Sequence, residues 1–89
     1  MLNMKEIFNS EELDNFTIQY KEQSLSVQRM ELAQMVIYRI SFPGKTAPLI
    51  VTRAVKDTGE KFWTSVPEGR QKEAEAIGPL IGEYILSKQ

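Results

Sequence analysis

Apolar positions recur along the chain with one of two periods, and the switches between periods mark its elements. Asn3-Met4-Lys5-Glu6 fits a helix N-cap followed three residues later by a Glu that reaches back. Met4, Ile7 and Phe8 then share one helical face, so residues 1–15 read as a short N-terminal helical segment, interrupted near Asn9-Ser10. From Phe16 the period falls to two. Phe16, Ile18 and Tyr20 alternate with polar residues, and Leu25 and Val27 do the same beyond a polar turn at Lys21-Glu22-Gln23. Residues 29–34 fit a helical turn or a hairpin equally well. Met35 to Phe42 is the strongest strand, rich in β-branched and aromatic residues, and Pro43-Gly44 ends it.

Leu49 to Lys56 forms a fourth strand and Lys61 to Val66 a fifth. Asp57-Thr58-Gly59-Glu60 between them carries hairpin chemistry. Such short connections select an antiparallel meander over 16–66, because parallel pairing needs a crossover of about a dozen residues or more. Residues 68–88 return to helical spacing, with Ala74, Ile77, Ile81 and Ile85 in one stripe. Pro79 contradicts that helix locally, since an interior proline costs about 3 kcal/mol. The stripe keeps its phase across Gly78-Pro79, which favours one kinked helix over two. The predicted fold is α+β: a single domain over 1–89, with an antiparallel sheet of four or five strands, a C-terminal helix on one face and the short N-terminal helical segment.

That pattern leaves a packing problem. In the third strand Val36, Tyr38, Ile40 and Phe42 point one way, and Met35 and Ile37 the other. Leu49, Val51 and Val55 oppose Ile50 and Ala54 in the fourth, and Phe62 and Val66 oppose Trp63 in the fifth. A sheet with one solvated face shows clean apolar/polar alternation, and these strands do not. One helix covers one face, so the N-terminal segment or a second chain is expected on the other. Burial stabilises by about 25 cal/mol per Å² in either case.

Composition removes most chemistries. The 89 residues contain no Cys and no His, which excludes Cys/His zinc sites, disulfides, thiol nucleophiles and Ser-His-Asp relays. Carboxylates such as Glu73, Glu75 and Glu83 read as a solvated helix face, and Gly44-Lys45-Thr46 lacks the upstream glycine of a P-loop, where Arg39 stands instead. The expectation is a protein that is not an enzyme, with no cofactor and no metal. The start is no signal peptide and no apolar run is long enough for a membrane span, so no membrane is expected and a cytoplasmic location is.

The net charge of −1 conceals a basic middle between acidic ends: −3 over residues 1–15, +4 over 16–56 and −2 over 57–89. Two constellations follow. Ala74, Gly78 and Gly82 lie four apart on the last helix, where missing side chains admit a close neighbour. That neighbour is either a helix across a homodimer or a large sheet residue such as Trp63 or Tyr38. Arg29, Arg39, Arg53 and Lys56, with Trp63, form the second, a basic and aromatic set of the kind that binds single-stranded nucleic acid. The acidic pI near 5.4 and the opposite facing of adjacent Tyr38 and Arg39 count against it.

Phe62-Trp63-Thr64-Ser65-Val66-Pro67-Glu68-Gly69-Arg70, with Tyr38-Arg39-Ile40-Ser41-Phe42 upstream and Ile77-Gly78 and Tyr84-Ile85 downstream, resembles small uncharacterised bacterial proteins built as a β-meander and a C-terminal helix. The resemblance spans about residues 16–88 and implies no activity and no site residues. In element order the chain is also similar to transcriptional coactivators that bind single-stranded DNA as strand-and-helix dimers, without their strongly basic character. The functional expectation is a small protein-interaction module, partnered by a second copy or by another protein. Single-stranded nucleic-acid binding is the alternative.

Overall fold

The computed structural model describes residues 14–33, 35–67 and 69–88. Five strands, β1 (Asn15–Tyr20), β2 (Gln23–Leu32), β3 (Met35–Ser41), β4 (Leu49–Val55) and β5 (Lys61–Ser65), precede one helix, α1 (Gln71–Ser87). The strands pair in sequence order and every pairing is antiparallel. The expected meander is therefore present with five strands and a C-terminal helix packed on it. The N-terminal helical segment expected over residues 1–15 lies almost wholly outside the described residues, and its last residue, Asn15, opens β1.

Each hairpin follows from its turn residues. Lys21 and Glu22 both have positive φ, 51° and 64°, as a two-residue turn matching the right-handed strand twist requires. In the β4–β5 connection, Gly59 N–H donates to the Lys56 carbonyl at 2.8 Å and Gly59 takes φ 92°, a conformation glycine adopts without steric penalty. β2 extends to Leu32 and turns at Ala33, φ 56°, which settles the open reading as a hairpin over the described residues 29–33.

The register places Phe16, Ile18, Leu25, Val27, Tyr38, Ile40, Leu49, Val51 and Trp63 on one face, all buried. Ala74, Ile77 and Ile81 of α1, each fully buried, fill the space above them. The helix packs against β5, β4 and also β1. One helix touches both edges of the sheet because the sheet curls around it as a half-barrel. At the far edge the rings of Phe16 and Tyr84 stack with centroids 4.1 Å apart and planes 5° off parallel.

α1 is one uninterrupted helix through Pro79. Pro79 is exposed, so the Glu75 carbonyl that loses its helical donor lies on the side of α1 that water reaches. The start of α1 is held by side chains. Arg70 grips Glu73 at 2.6 and 3.0 Å and donates to the carbonyls of Ala47 and Pro48 at 3.0 and 2.9 Å. Gln71 donates to the Trp63 carbonyl at 2.8 Å and accepts from the Thr64 hydroxyl at 2.9 Å.

The convex face is divided. Thr17, Gln19, Ser24, Ser26 and Gln28 make its β1–β2 half polar and exposed. Its β3–β5 half carries Met35, Ile37, Ile50, Ala54 and Phe62, as the alternation predicts. Ile37 is 4 % exposed there, whereas Met35 is 46 % exposed.

Candidate binding cleft

Ala74, Gly78 and Gly82 line the side of α1 that faces β5. A Cβ on Gly78 would overlap Cγ of Trp63, and one on Gly82 would lie 3.0 Å from Nη2 of Arg53 and 3.7 Å from Cζ2 of Trp63. The indole of Trp63 lies across both glycines, and all three small residues are buried. The neighbour for which the stripe makes room comes from the same chain, and the stripe has no free face for the helix of a second copy. A helical glycine costs about 1 kcal/mol relative to Ala, and at Gly78 the close seat of a large ring offsets that.

Trp63 is in turn a platform. Tyr38 meets its ring edge-on, with centroids 5.8 Å apart at 66°. The guanidinium of Arg53 lies over the ring, 4.9 Å from its centroid. The register explains the grouping: Arg53 pairs with Trp63 across β4–β5, and Arg29 pairs with Tyr38 across β2–β3, all on the concave face. Together with Met35, Val36 and Ile85 they line an open cleft of about 340 Å³ where α1 ends.

The two arginines of the cleft differ in their partners. Arg29 donates to Asp14 at 3.2 Å and to Glu31 at 2.7 Å. Burial works against its charge, but the hydrogen bond and field of Glu31, then Tyr38 and Asp14, outweigh burial and hold its pKa above the ordinary arginine value. Among the described residues no carboxylate pairs with Arg53, which is held by the indole beneath it.

Of the basic and aromatic set, the fold gathers Arg29, Arg53 and Trp63 and separates the rest. Arg39 pairs with Gln28 and Ile50 on the convex face, beside a polar depression that includes Thr17, Ser26 and Ser41. Lys56 leaves the sheet at the β4–β5 turn and bonds Glu60 at 3.4 Å. Trp63 is only 7 % exposed, so its faces are engaged inside the protein and closed to stacking bases. The five residues do not form one nucleic-acid surface.

The open end also collects apolar surface. Leu32 and Met35 flank the β2–β3 turn, 57 % and 46 % exposed. Val55, 61 % exposed, ends β4, which runs antiparallel to β3 and so finishes beside the start of β3. Leu86, 69 % exposed, follows Ile85 of the cleft. Sequence reading missed Leu32 and Leu86; the signal for Leu32 was the apolar pair Met30/Leu32, out of phase with Leu25 and Val27.

Among the described residues no group of three or more acidic, His or Cys side chains gathers as metal ligands, and no helix is long and apolar enough to cross a membrane. Comparison with protein-family models, curated proteins and solved structures returned no match for the chain. The resemblance in motifs and element order therefore stands on the residues alone.

Proposed function

We propose that the protein is a non-enzymatic interaction module that associates with a second copy of itself through the open end of the half-barrel. One observation carries this reading: the large hydrophobic residues most exposed among those described, Leu32, Met35, Val55 and Leu86, all lie at that end. Scattered apolar side chains are ordinary on a surface, whereas a cluster favours leaving water. A two-fold pairing apposes the same patch on both copies, so apolar surface meets apolar surface, and a net charge of −1 opposes the approach little. Clustering also separates this reading from nucleic-acid binding, which needs the cations together rather than split between two faces and a turn.

Sedimentation equilibrium across a range of concentrations tests the proposal. The wild-type chain is expected to show a concentration-dependent rise from monomer to dimer mass. Leu32→Glu with Leu86→Glu places like charges opposite one another across the two-fold and is expected to hold the protein at monomer mass. A wild-type protein that stays monomeric near millimolar concentration, or a dimer indifferent to both substitutions, removes the reading.

A further inference from the structure

Arg53 is the arginine of the cleft that a ring, and among the described residues no carboxylate, holds in place. Arg29 and Arg70 are each held by carboxylates, while Arg53 lies flat on Trp63 without one among the described residues. Its seat is built into α1: the Gly82 Cα leaves the space that Nη2 occupies, and an added Cβ would crowd it to 3.0 Å. A helical glycine is unfavourable by about 1 kcal/mol, and the indole alone does not require it here, since its nearest atom would stand at an ordinary 3.7 Å. The sequence thus keeps a glycine where a guanidinium rests. Held on a ring, that guanidinium loses less freedom on meeting a planar anion than a free arginine does, and its fork of donors matches a carboxylate.

The surroundings state what the rest of the ligand is. Met35, Val36 and Ile85 line the cleft beside the guanidinium, together with the buried Tyr38 and with Thr52, whose hydroxyl donates to the Val36 carbonyl. The volume of about 340 Å³ is at the low end of small-molecule sites, which run to about 300–1,000 Å³. The nearby acids Asp14 and Glu31 both hydrogen-bond Arg29, so Arg53 is the cation of the cleft whose donors no carboxylate occupies among the described residues. We infer that the cleft binds a small monocarboxylate with an apolar body, its carboxylate on Arg53 and its body against Met35, Val36, Tyr38 and Ile85. The cleft shares Met35 with the associating patch, while Leu32 and Leu86 stand outside it.

NMR titration of the full chain with benzoate and hexanoate tests the inference, using benzamide and hexanamide as neutral isosteres and acetate and inorganic phosphate as anions without the body. One of the two acids is expected to shift the Trp63 indole N–H and the Arg53 Nε–H saturably. Its amide, acetate and phosphate are each expected to bind at least about tenfold more weakly. Arg53→Gln is expected to weaken the acid by about tenfold or more. Gly82→Ala, which keeps the charge but fills its seat, is expected to weaken it several-fold, with far-UV circular dichroism unchanged. Binding by Leu32→Gln with Leu86→Gln, which removes apolar surface from the associating patch without adding charge, is expected to equal wild type, so the two readings fail separately. Equal binding of acid and amide, equal binding of acetate or phosphate, indifference to both Arg53→Gln and Gly82→Ala, or no saturable shift up to about 10 mM would each overturn it.

Discussion

Gly78 and Gly82 lie one helical turn apart against the same indole, and replacing each by Ala produces opposite results if the packing is as described. At Gly78 the new methyl meets Cγ, Cβ and Cδ2 of Trp63, the part of the side chain nearest its own backbone and least able to swing aside. The helix or β5 must shift, and overpacking of this kind costs up to about 3 kcal/mol. Helix propensity returns about 1 kcal/mol, leaving Gly78→Ala less stable by about 2 kcal/mol. For a domain of this size that lowers Tm by about 10 °C. At Gly82 the methyl meets the far end of a flexible arginine, which can move. Gly82→Ala therefore keeps most of its propensity gain and is expected to be neutral or stabilised by up to about 1 kcal/mol. Urea unfolding followed by circular dichroism and by Trp63 fluorescence measures both. A Gly78→Ala protein as stable as the wild type would refute the close seating of Trp63 on α1, and with it the account of why this helix tolerates Gly78.

The other expectations concern the edges of the fold, its pH response and its association. Phe16→Ala removes a ring 8 % exposed and stacked on Tyr84, and is expected to cost about 3–5 kcal/mol in urea unfolding, with β1 amides losing hydrogen-exchange protection first. The hydrogen bond from Arg70 holds the Glu73 carboxyl below its ordinary pKa, so its contribution is full above that ordinary value and disappears as pH falls through the folded one. Glu73→Gln is accordingly expected to flatten the acid limb of stability below about pH 4.5, a small effect for so exposed a pair, measured by thermal unfolding across pH. The charge-bearing pair Leu32→Glu and Leu86→Glu is expected to shift the sedimentation profile to monomer, and the carboxylate titration reads the cleft independently.

Strands were legible where hydrophobicity and side-chain facing kept the same phase, as from Phe16 to Val27, and where β-branched residues ran between turn signals, as from Leu49 to Val55. Beyond Val27 the two part company. Arg29 and Glu31 continue the concave side while Met30 and Leu32 turn to the convex one, so the apolar set changes face within a single strand. A period-two pattern that flips midway looks like no strand at all, which is why the β2–β3 hairpin was ambiguous. The stripe on α1 and its neighbour Trp63 could be named from spacing, but choosing between an internal ring and a second helix needed the register. Strand parity similarly divides the arginines: Arg29 and Arg53 share a side with Tyr38 and Trp63, and Arg39 does not. Arg70 and Glu73 have the i,i+3 spacing of a local ion pair, but the bonds of Arg70 and Gln71 to residues 47–48 and 63–64 left no local trace, since those residues arrive beside them only through the fold.

The contact of α1 with both β1 and β5 has a bearing on how the chain folds. Hairpins can zip as they are synthesised, yet their greasy side stays wet until the final segment arrives to plug the trough. Assembly is then committed late and by a long-range encounter, which slows it and leaves the early strands open to mispairing in the meantime. Loss of the last two turns would harm the whole molecule far more than their few contacts suggest, because they carry the ring that clasps the first strand.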